Sequence, residues 1–371
     1  MRIVQVQKFT ILMCVLAMPA VVFADFSYQQ STQITGGSIL GMVKMAGAFS
    51  KQARKAGEPV VTAVYLKGNR MAHVSPDSIE IIDLDNETIT HIDTEKRTYS
   101  VVTFQQMKDA MEKAHQQMEK QQAEHPAPKA APNPNADNVK VSFDVHVRNT
   151  GAVRQVSGLA TSEAIMTMMM NATDQNTNQT GTMAITNDMW LVPEIPGYAE
   201  VRDFYLRMAL KMGTAPAEVG MDINRMLAQN PGASEALADM GKEMQKIKGV
   251  PVMQVMRMGT STDGKPLPAA SEAPLPPDSS QAMPSGGEIA RQSATSALTS
   301  HLGLGGFGGF GHKKQNDQPP ADQNSKTPPP ASVVLMESQT ISSNFSSAPI
   351  DPSHFEVPPG YKLIQTQMDK Q

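Results

Sequence analysis

The sequence predicts an α+β protein: a curved antiparallel β-sheet, open as a half-barrel, with helices packed on its concave face and long disordered insertions. Three observations predict it. Short runs rich in Val, Ile, Thr and Tyr recur between acidic or glycine-bearing turns, the pattern of antiparallel hairpins. Longer stretches carry apolar residues at spacings of three and four, the stripe of an amphipathic helix. Two segments, 122–138 and 260–331, are so rich in proline, glycine and polar residues that they have little apolar area to bury.

Residues 1–24 read as a secretory signal peptide. Arg2 and Lys8 give a positive start, 9–22 is mostly apolar, and Val22-Phe23-Ala24 offers a cleavage site before Asp25. The apolar run is shorter than the roughly 20 residues of a membrane-spanning helix, and no later stretch approaches that length. No transmembrane segment is therefore expected after signal removal. Cys14, the only cysteine, lies inside the run and follows Met13, where a lipid-attachment site wants a small residue. The mature chain is then expected to lack disulfides, thiolate ligands and cysteine nucleophiles, and to depend on a hydrophobic core. The expected location is the periplasm or the exterior, in a Gram-negative-type cell envelope. Removing Arg2 and Lys8 from a chain of net charge −4 leaves −6. Without a basic cluster, nucleic acid is not an expected partner.

The first half of the sheet domain spans 25–121. Residues 26–34 make the opening strand, closed by Gly36-Gly37. Residues 39–56 have helical spacing in Leu40, Val43, Ala46 and Phe49, and 59–74 read as one long strand containing Gly68. Strands 79–84, 88–93 and 98–102 follow, joined by turns at Asp85-Asn86 and Glu95-Lys96. A helix comes next, with Thr103 as its cap and Phe104, Met107, Met111, Ala114 and Met118 on one stripe.

A Pro/Ala-rich linker, 122–138, leads to the second half, 139–259. Here Val139, Val141, Phe143, Val145 and Val147 alternate in the clearest strand of the chain. Residues 152–170 hold further strands, 182–192 carries the only tryptophan, Trp190, and 201–212 and 234–248 are helices. Strands 250–258 and 333–341 flank the insertion 260–331. Their simplest arrangement is one hairpin with a lengthened loop, whose closure costs only logarithmically more than that of a short one. Residues 332–371 complete the sheet.

The motifs that carry chemistry are sparse. DLDNET from Asp83 departs from a calcium loop, with Thr88 at the sixth place and Thr94 at the twelfth, so hairpin turns explain its acids better. The Gly-Phe tract 303–311 lacks the Lys-Ser or Lys-Thr of a phosphate loop. Eight histidines are scattered without the spacing of a zinc helix, and there is no nucleophile elbow. His91 and Asp93 share one face of a strand, but no serine joins them. No catalytic residue and no cofactor is assigned. Methionine is the compositional outlier, 27 in the chain, densest at Met166, Met168, Met169 and Met170. Closely spaced thioethers are soft ligands, so copper(I) handling is one alternative there. Core or cavity lining is the other reading.

Tyr65-Leu66-Lys67-Gly68-Asn69-Arg70-Met71, then Ile81-Ile82-Asp83-Leu84 and Ile92-Asp93 with 96–99, resembles a family of secreted bacterial proteins of unknown function. In that family a basic KGxR strand leads into repeated hairpins. The ending Phe355-Glu356-Val357-Pro358-Pro359-Gly360-Tyr361-Lys362 is similar to the family's FxVPxGYK close. More distantly, the arrangement resembles the periplasmic lipoprotein-carrier (LolA-like) half-barrels, and this resemblance implies a sheet curled around helices with an apolar cavity for acyl chains. The expected function is non-catalytic binding of an apolar ligand or a lipidated partner protein. Methionine side chains re-pack around variable apolar groups. The expected cavity residues are Val64, Leu66, Met208, Met212, Met253 and Met256. A third alternative is an envelope structural or interaction protein that uses the insertion as a tether.

Overall fold

The computed structural model describes residues 25–47, 57–124, 139–174, 180–212, 233–261, 263–275 and 332–365. Twelve strands form a single curved sheet that does not close. They are β1 (Phe26–Gly36), β2 (Val60–Lys67), β3 (Arg70–Val74), β4 (Ser78–Asp83), β5 (Thr88–Asp93), β6 (Thr98–Thr103), β7 (Val139–Val156), β8 (Leu159–Asp174), β9 (Thr180–Val192), β10 (Val250–Ser261), β11 (Ser332–Ser346) and β12 (Lys362–Leu363). The described helices are α1 (Ser38–Gly47), α2 (Phe104–Glu124), α3 (Tyr198–Met212) and α4 (Ala233–Met244), with a 3-10 turn at Pro352–Phe355.

The order across the sheet is β12-β6-β5-β4-β3-β2-β1-β11-β10-β9-β8-β7. The first half of the chain winds outward from β1, and the second half winds inward from the edge strand β7. β11 closes the seam by pairing with both β1 and β10. Every pairing is antiparallel except β12 on β6. The expected hairpin across the insertion is present, with Met253 opposite Ile341 and Arg257 opposite Glu337. Register shifts occur in β11 between its pairings with Ser27 and Gln29, where Asn344 has a φ of 55°, and in β10 between Pro251 and Met253. Such bulges sharpen strand bending and twist.

The acids of 83–99 build turns. Asp83 Oδ1 accepts the backbone N–H groups of Asp85 and Asn86, both at 2.9 Å. Asp93 Oδ1 accepts that of Lys96 at 2.8 Å. Glu87 and Arg97, four residues after each aspartate, both take a φ of 53°. The same aspartate-anchored turn is thus used twice. Thr103 caps α2 as expected. Its Oγ1 accepts the Gln106 N–H at 3.1 Å, and Gln106 Oε1 accepts the Thr103 N–H at 2.8 Å, a reciprocal capping box.

Three sequence readings need correction. The long strand 59–74 is two strands, β2 and β3, because Gly68 at a φ of 60° turns the chain within two residues. So short a turn leaves no polar loop to betray it. Residues 263–275, read as the start of the insertion, form an ordered strap in which Leu267 and Ala269 are buried. The apolar stripe of α2 is not evenly buried: Phe104 is fully buried, Met107 is half-buried and Met111 is half exposed. The expected signal peptide, the rest of the first helix at 48–56, most of the linker and residues 276–331 lie outside the described residues. No described helix is long and apolar enough to cross a membrane.

Strand alternation gives the sheet two apolar faces. On β2–β4, Val64, Leu66, Met71 and Ile82 join Phe26, Tyr28, Phe104, Trp190 and the α3 residues Val201 and Phe204 in the main core. The alternate positions Ala72, Ile81 and Ile92 pack against Ile350 and Phe355 of the C-terminal segment. On β8–β9, Ala164, Met189 and Leu191 form a further cluster with Ile247, which follows α4. The edge strand β7 is partly capped there: Glu243 of α4 accepts the Val147 N–H at 2.7 Å, removing one donor from the open edge.

Candidate functional site

The region with unspent chemistry lies where the main core meets the strap. A cavity of about 330 Å³ is lined by Arg154, Asp188, Met253, Arg257, Glu337 and Gln339, with Leu275 and Pro274 of the strap on its other side. The strap is fastened by backbone groups. Thr186 Oγ1 donates to the Leu267 carbonyl at 2.7 Å, Arg257 Nη1 to those of Pro268 and Ala269 at 2.8 and 3.1 Å, and the Ser271 N–H to Asp188 Oδ2 at 3.0 Å. Leu267 is buried against Ala184 and Val334. Arg257, itself 1% exposed, donates through Nε to Glu337 Oε2 at 2.7 Å, and Thr35 Oγ1 donates to Glu337 Oε1 at 2.8 Å. Removing such a buried pair from water is costly, and the two backbone carbonyls and Thr35 are what make its burial tolerable.

Three buried atoms here have no hydrogen-bond partner among the described residues: Asp188 Oδ1, Glu163 Oε1 and Arg257 Nη2. Burial pushes the Asp188 carboxyl above the usual aspartate range, and the neighbouring Glu163 adds to the rise against the lowering effect of the Ser271 N–H. Two carboxyls close together in a buried site cannot both ionise cheaply, and Asp188 is the one raised. Thr150 donates to the other oxygen of Glu163. Arg154 lies over the indole of Trp190, 3.8 Å from guanidinium carbon to ring centroid, and donates to the Met253 sulfur. The cavity thus offers two guanidinium groups, the Asp188 and Glu337 carboxyls and the Gln339 amide beside the Met253 thioether, with Trp190 behind Arg154. Such a wall can hold a polar group whose remainder is apolar.

The apolar part of the site lies under α3. Val201 and Phe204 are buried there, and Met208 and Met212 are partly buried against the same core. At the rim α3 is held by polar contacts: Tyr205 Oη with His73 Nε2 at 3.2 Å, Lys211 Nζ with Glu87 Oε1 at 2.9 Å, and Arg207 with Asn69. Tyr28 stacks on Phe345 at 5.9 Å beneath the start of the helix, and burial lifts its phenol above the ordinary tyrosine range.

Five of the six expected cavity residues meet in this core. Val64 and Leu66 are each 1% exposed and form its floor, and Met208, Met212 and Met253 pack against it. Met256 does not belong, because it differs from Met253 by an odd number of strand positions and lies on the other face. The cluster Met166, Met168, Met169 and Met170 is divided in the same way. Met169 packs with Leu267 and Leu275 under the strap, while the other three face the opposite side. Asp93 is engaged by Lys96, through the backbone N–H and through Nζ at 2.7 Å, so it does not orient His91. The sequence reading missed Arg154, Glu163, Asp188, Arg257 and Glu337. The available signal was charge inside apolar strand pattern, as in Met256-Arg257-Met258.

No protein-family model matches this sequence, and comparison with curated proteins finds no match.

Proposed function

We propose that this protein is a non-catalytic binding protein of the cell envelope for an amphipathic molecule or the lipidated end of a partner protein. In this reading α3 packs in the concavity of the sheet as a displaceable cover. The apolar portion of the ligand enters beneath α3, and its polar end rests in the charged cavity. The observation that carries the reading is that Met253 belongs to both places and Trp190 borders both. Both are part of the apolar cluster under α3, Met253 also lines the cavity, and Arg154 from the cavity wall covers Trp190.

The energetics allow exchange. Each large apolar anchor of α3 contributes about 1.5–3 kcal/mol when buried. An acyl chain brings about 0.8 kcal/mol for each buried CH₂, so a long chain replaces the helix's contacts without loss. Thioether side chains at positions 208, 212 and 253 suit such an exchange, because methionine re-packs with little strain.

Trp190, the only tryptophan in the chain, reports on the site directly. Addition of a fatty acid brominated along its chain is expected to quench Trp190 emission saturably, because bromine quenches only at contact. Native mass spectrometry of detergent-free protein is expected to show the same ligand as a mass adduct. Unchanged Trp190 emission together with a bare protein mass would remove the proposal.

A further inference from the structure

The methionines that strand alternation turns away from the main core are brought together by sheet register. Met170 of β8 is paired with Met183 of β9, and Met168 lies on the same face two residues from Met170. On the neighbouring strands Met258 of β10 is paired with Met336 of β11, and Met256 lies two residues from Met258 on that face. The two groups belong to one face, because Met168 pairs with Ile185, which pairs with Met258. Each group therefore has one directly opposed pair and one diagonal neighbour. Side chains of opposed residues start about 5 Å apart at Cβ and those of diagonal neighbours about 7–8 Å apart. Three unbranched, rotatable side chains at those separations can turn their sulfurs onto one point.

Two further observations set this face apart from ordinary packing. Among the buried residues of the main core Met71 is the one methionine, with Phe, Tyr, Trp, Val, Leu and Ile filling the rest and Met208, Met212 and Met253 packed at its margin. Within β8–β11 methionine is concentrated on the opposite face, which carries the six together with Met166 and Met189, against Met169 and Met253 on the core-facing side. All but Met170 of these six are only partly buried, so the face is neither sealed nor fully open. Beside Met256, its partner across β9–β10, lies Asn187, whose Oδ1 is buried without a partner while its Nδ2 donates to Gln254 at 3.0 Å. Among the described residues no three His, Cys, Asp or Glu gather as a metal site, so thioethers are the donor set in question.

We propose that this face binds soft monovalent cations of the copper(I) class through two thioether triads, Met168–Met170–Met183 and Met256–Met258–Met336. Thioether sulfur is neutral and polarisable, and it selects closed-shell soft ions over zinc, magnesium or calcium. No ligand proton is released on binding, unlike at thiol, imidazole or carboxylate sites. The affinity is consequently independent of pH across the range in which histidine titrates. Met169 takes no part, since it faces the strap. The site stands apart from the ligand-binding reading above, and either survives failure of the other.

The test is competition for Cu(I) between the untagged protein and a chromophoric Cu(I) chelator, under reducing, oxygen-free conditions. The wild type is expected to withhold two equivalents, equally at pH 5.5 and 7.5. Met170→Leu with Met183→Leu, and Met258→Leu with Met336→Leu, are each expected to weaken one equivalent by at least about 100-fold. Met169→Leu is expected to change nothing. Leucine conserves volume, so the fold persists and a packing role alone would be satisfied. In the unmutated protein, silver(I) is expected to shift the methyl resonances of the six triad methionines and to leave that of Met169 in place. Failure of the wild type to withhold Cu(I), leucine variants that bind as the wild type does, or a steep loss of binding at acid pH would each overturn the proposal.

Discussion

Arg70 lies over the ring of Phe355, 5.3 Å from guanidinium carbon to centroid, and joins the strand after the first tight turn to the C-terminal close of the chain. Lys67, Gly68 and Arg70 serve this junction, while Asn69 points to the Asp85 turn and to Arg207 of α3. Lys67 Nζ donates to Asp25 Oδ2 at 2.9 Å and to the Ile350 carbonyl at 2.8 Å, and Gly68 makes the turn. Below it, Arg97 stands over Tyr361 at 5.7 Å, and His354 stacks on Tyr65 at 3.9 Å. The two motifs quoted for the family resemblance therefore meet in space. Their job in this molecule is to cover the second face of β2–β6.

A double-mutant cycle measures that junction. Phe355 is buried among Ala72, Ile81 and Ile92, so Phe355→Ala is expected to cost about 3 kcal/mol. Arg70→Ala is expected to cost about 1 kcal/mol, the scale of a partly desolvated cation–π contact. Urea unfolding of the two single variants and the double variant should give a coupling of about 0.5–1 kcal/mol. Strict additivity would show that Arg70 merely lies near the ring.

The glycines separate backbone conformation from space. Gly68 has a φ of 60° with nothing near an added Cβ, so Gly68→Ala should cost only the left-handed penalty of about 1 kcal/mol. Gly249 has a φ of 117°, and an added Cβ would lie 2.3 Å from the Val192 carbonyl oxygen. Gly249→Ala combines both penalties and is expected to cost about 3 kcal/mol or more. Thermal unfolding of the two variants in parallel ranks them. Equal losses would mean that the β9–β10 junction relaxes around the methyl group.

Asp188 predicts an unusual pH response. Its carboxyl titrates above the unfolded value, so the folded protein holds the proton more tightly than the unfolded chain does. Above the folded pKa, ionised Asp188 lowers stability. As pH falls through that pKa toward the unfolded value of about 3.9, the penalty disappears. Asp188→Asn keeps an oxygen for the Ser271 N–H and removes the charge. It should be more stable than the wild type at pH 7, on the order of 1 kcal/mol. The gain should shrink on acidification to pH 4. A gain that stays constant with pH would place its origin elsewhere.

Much of this architecture was legible because local pattern and tertiary role agree. The Asp85-Asn86 and Glu95-Lys96 turns, the Thr103 cap, the strand from Val139 to Val147 and the hairpin across the insertion all follow from short-range chemistry that the strand pairing then extends. The charged cavity was not legible, because Arg154, Glu163, Asp188, Arg257 and Glu337 come from β7–β11 and are brought together only by register. The methionines show the same limit from the other side. Adjacency grouped Met169 with Met168 and Met170, yet a period of two sends it to the opposite face. The strap was hidden by its prolines, since a segment without strand or helix can still be ordered when a buried arginine collects its carbonyls.

That arginine gives the last prediction. Glu337→Gln leaves Arg257 charged and without its carboxylate in a buried site, and is expected to cost about 3 kcal/mol in urea unfolding. Replacing the pair together, as Arg257→Met with Glu337→Leu, removes both charges and should recover most of that loss, as apolar replacements of buried ion pairs often do. The strap should respond differently. Arg257 holds the carbonyls of Pro268 and Ala269, so the double variant is expected to keep global stability and still lose hydrogen-exchange protection at Ala269 and Ser271. Global recovery with full protection of those two amides would mean that Leu267 and the Thr186 hydroxyl alone hold the strap, and that the ion pair serves only the sheet beneath it.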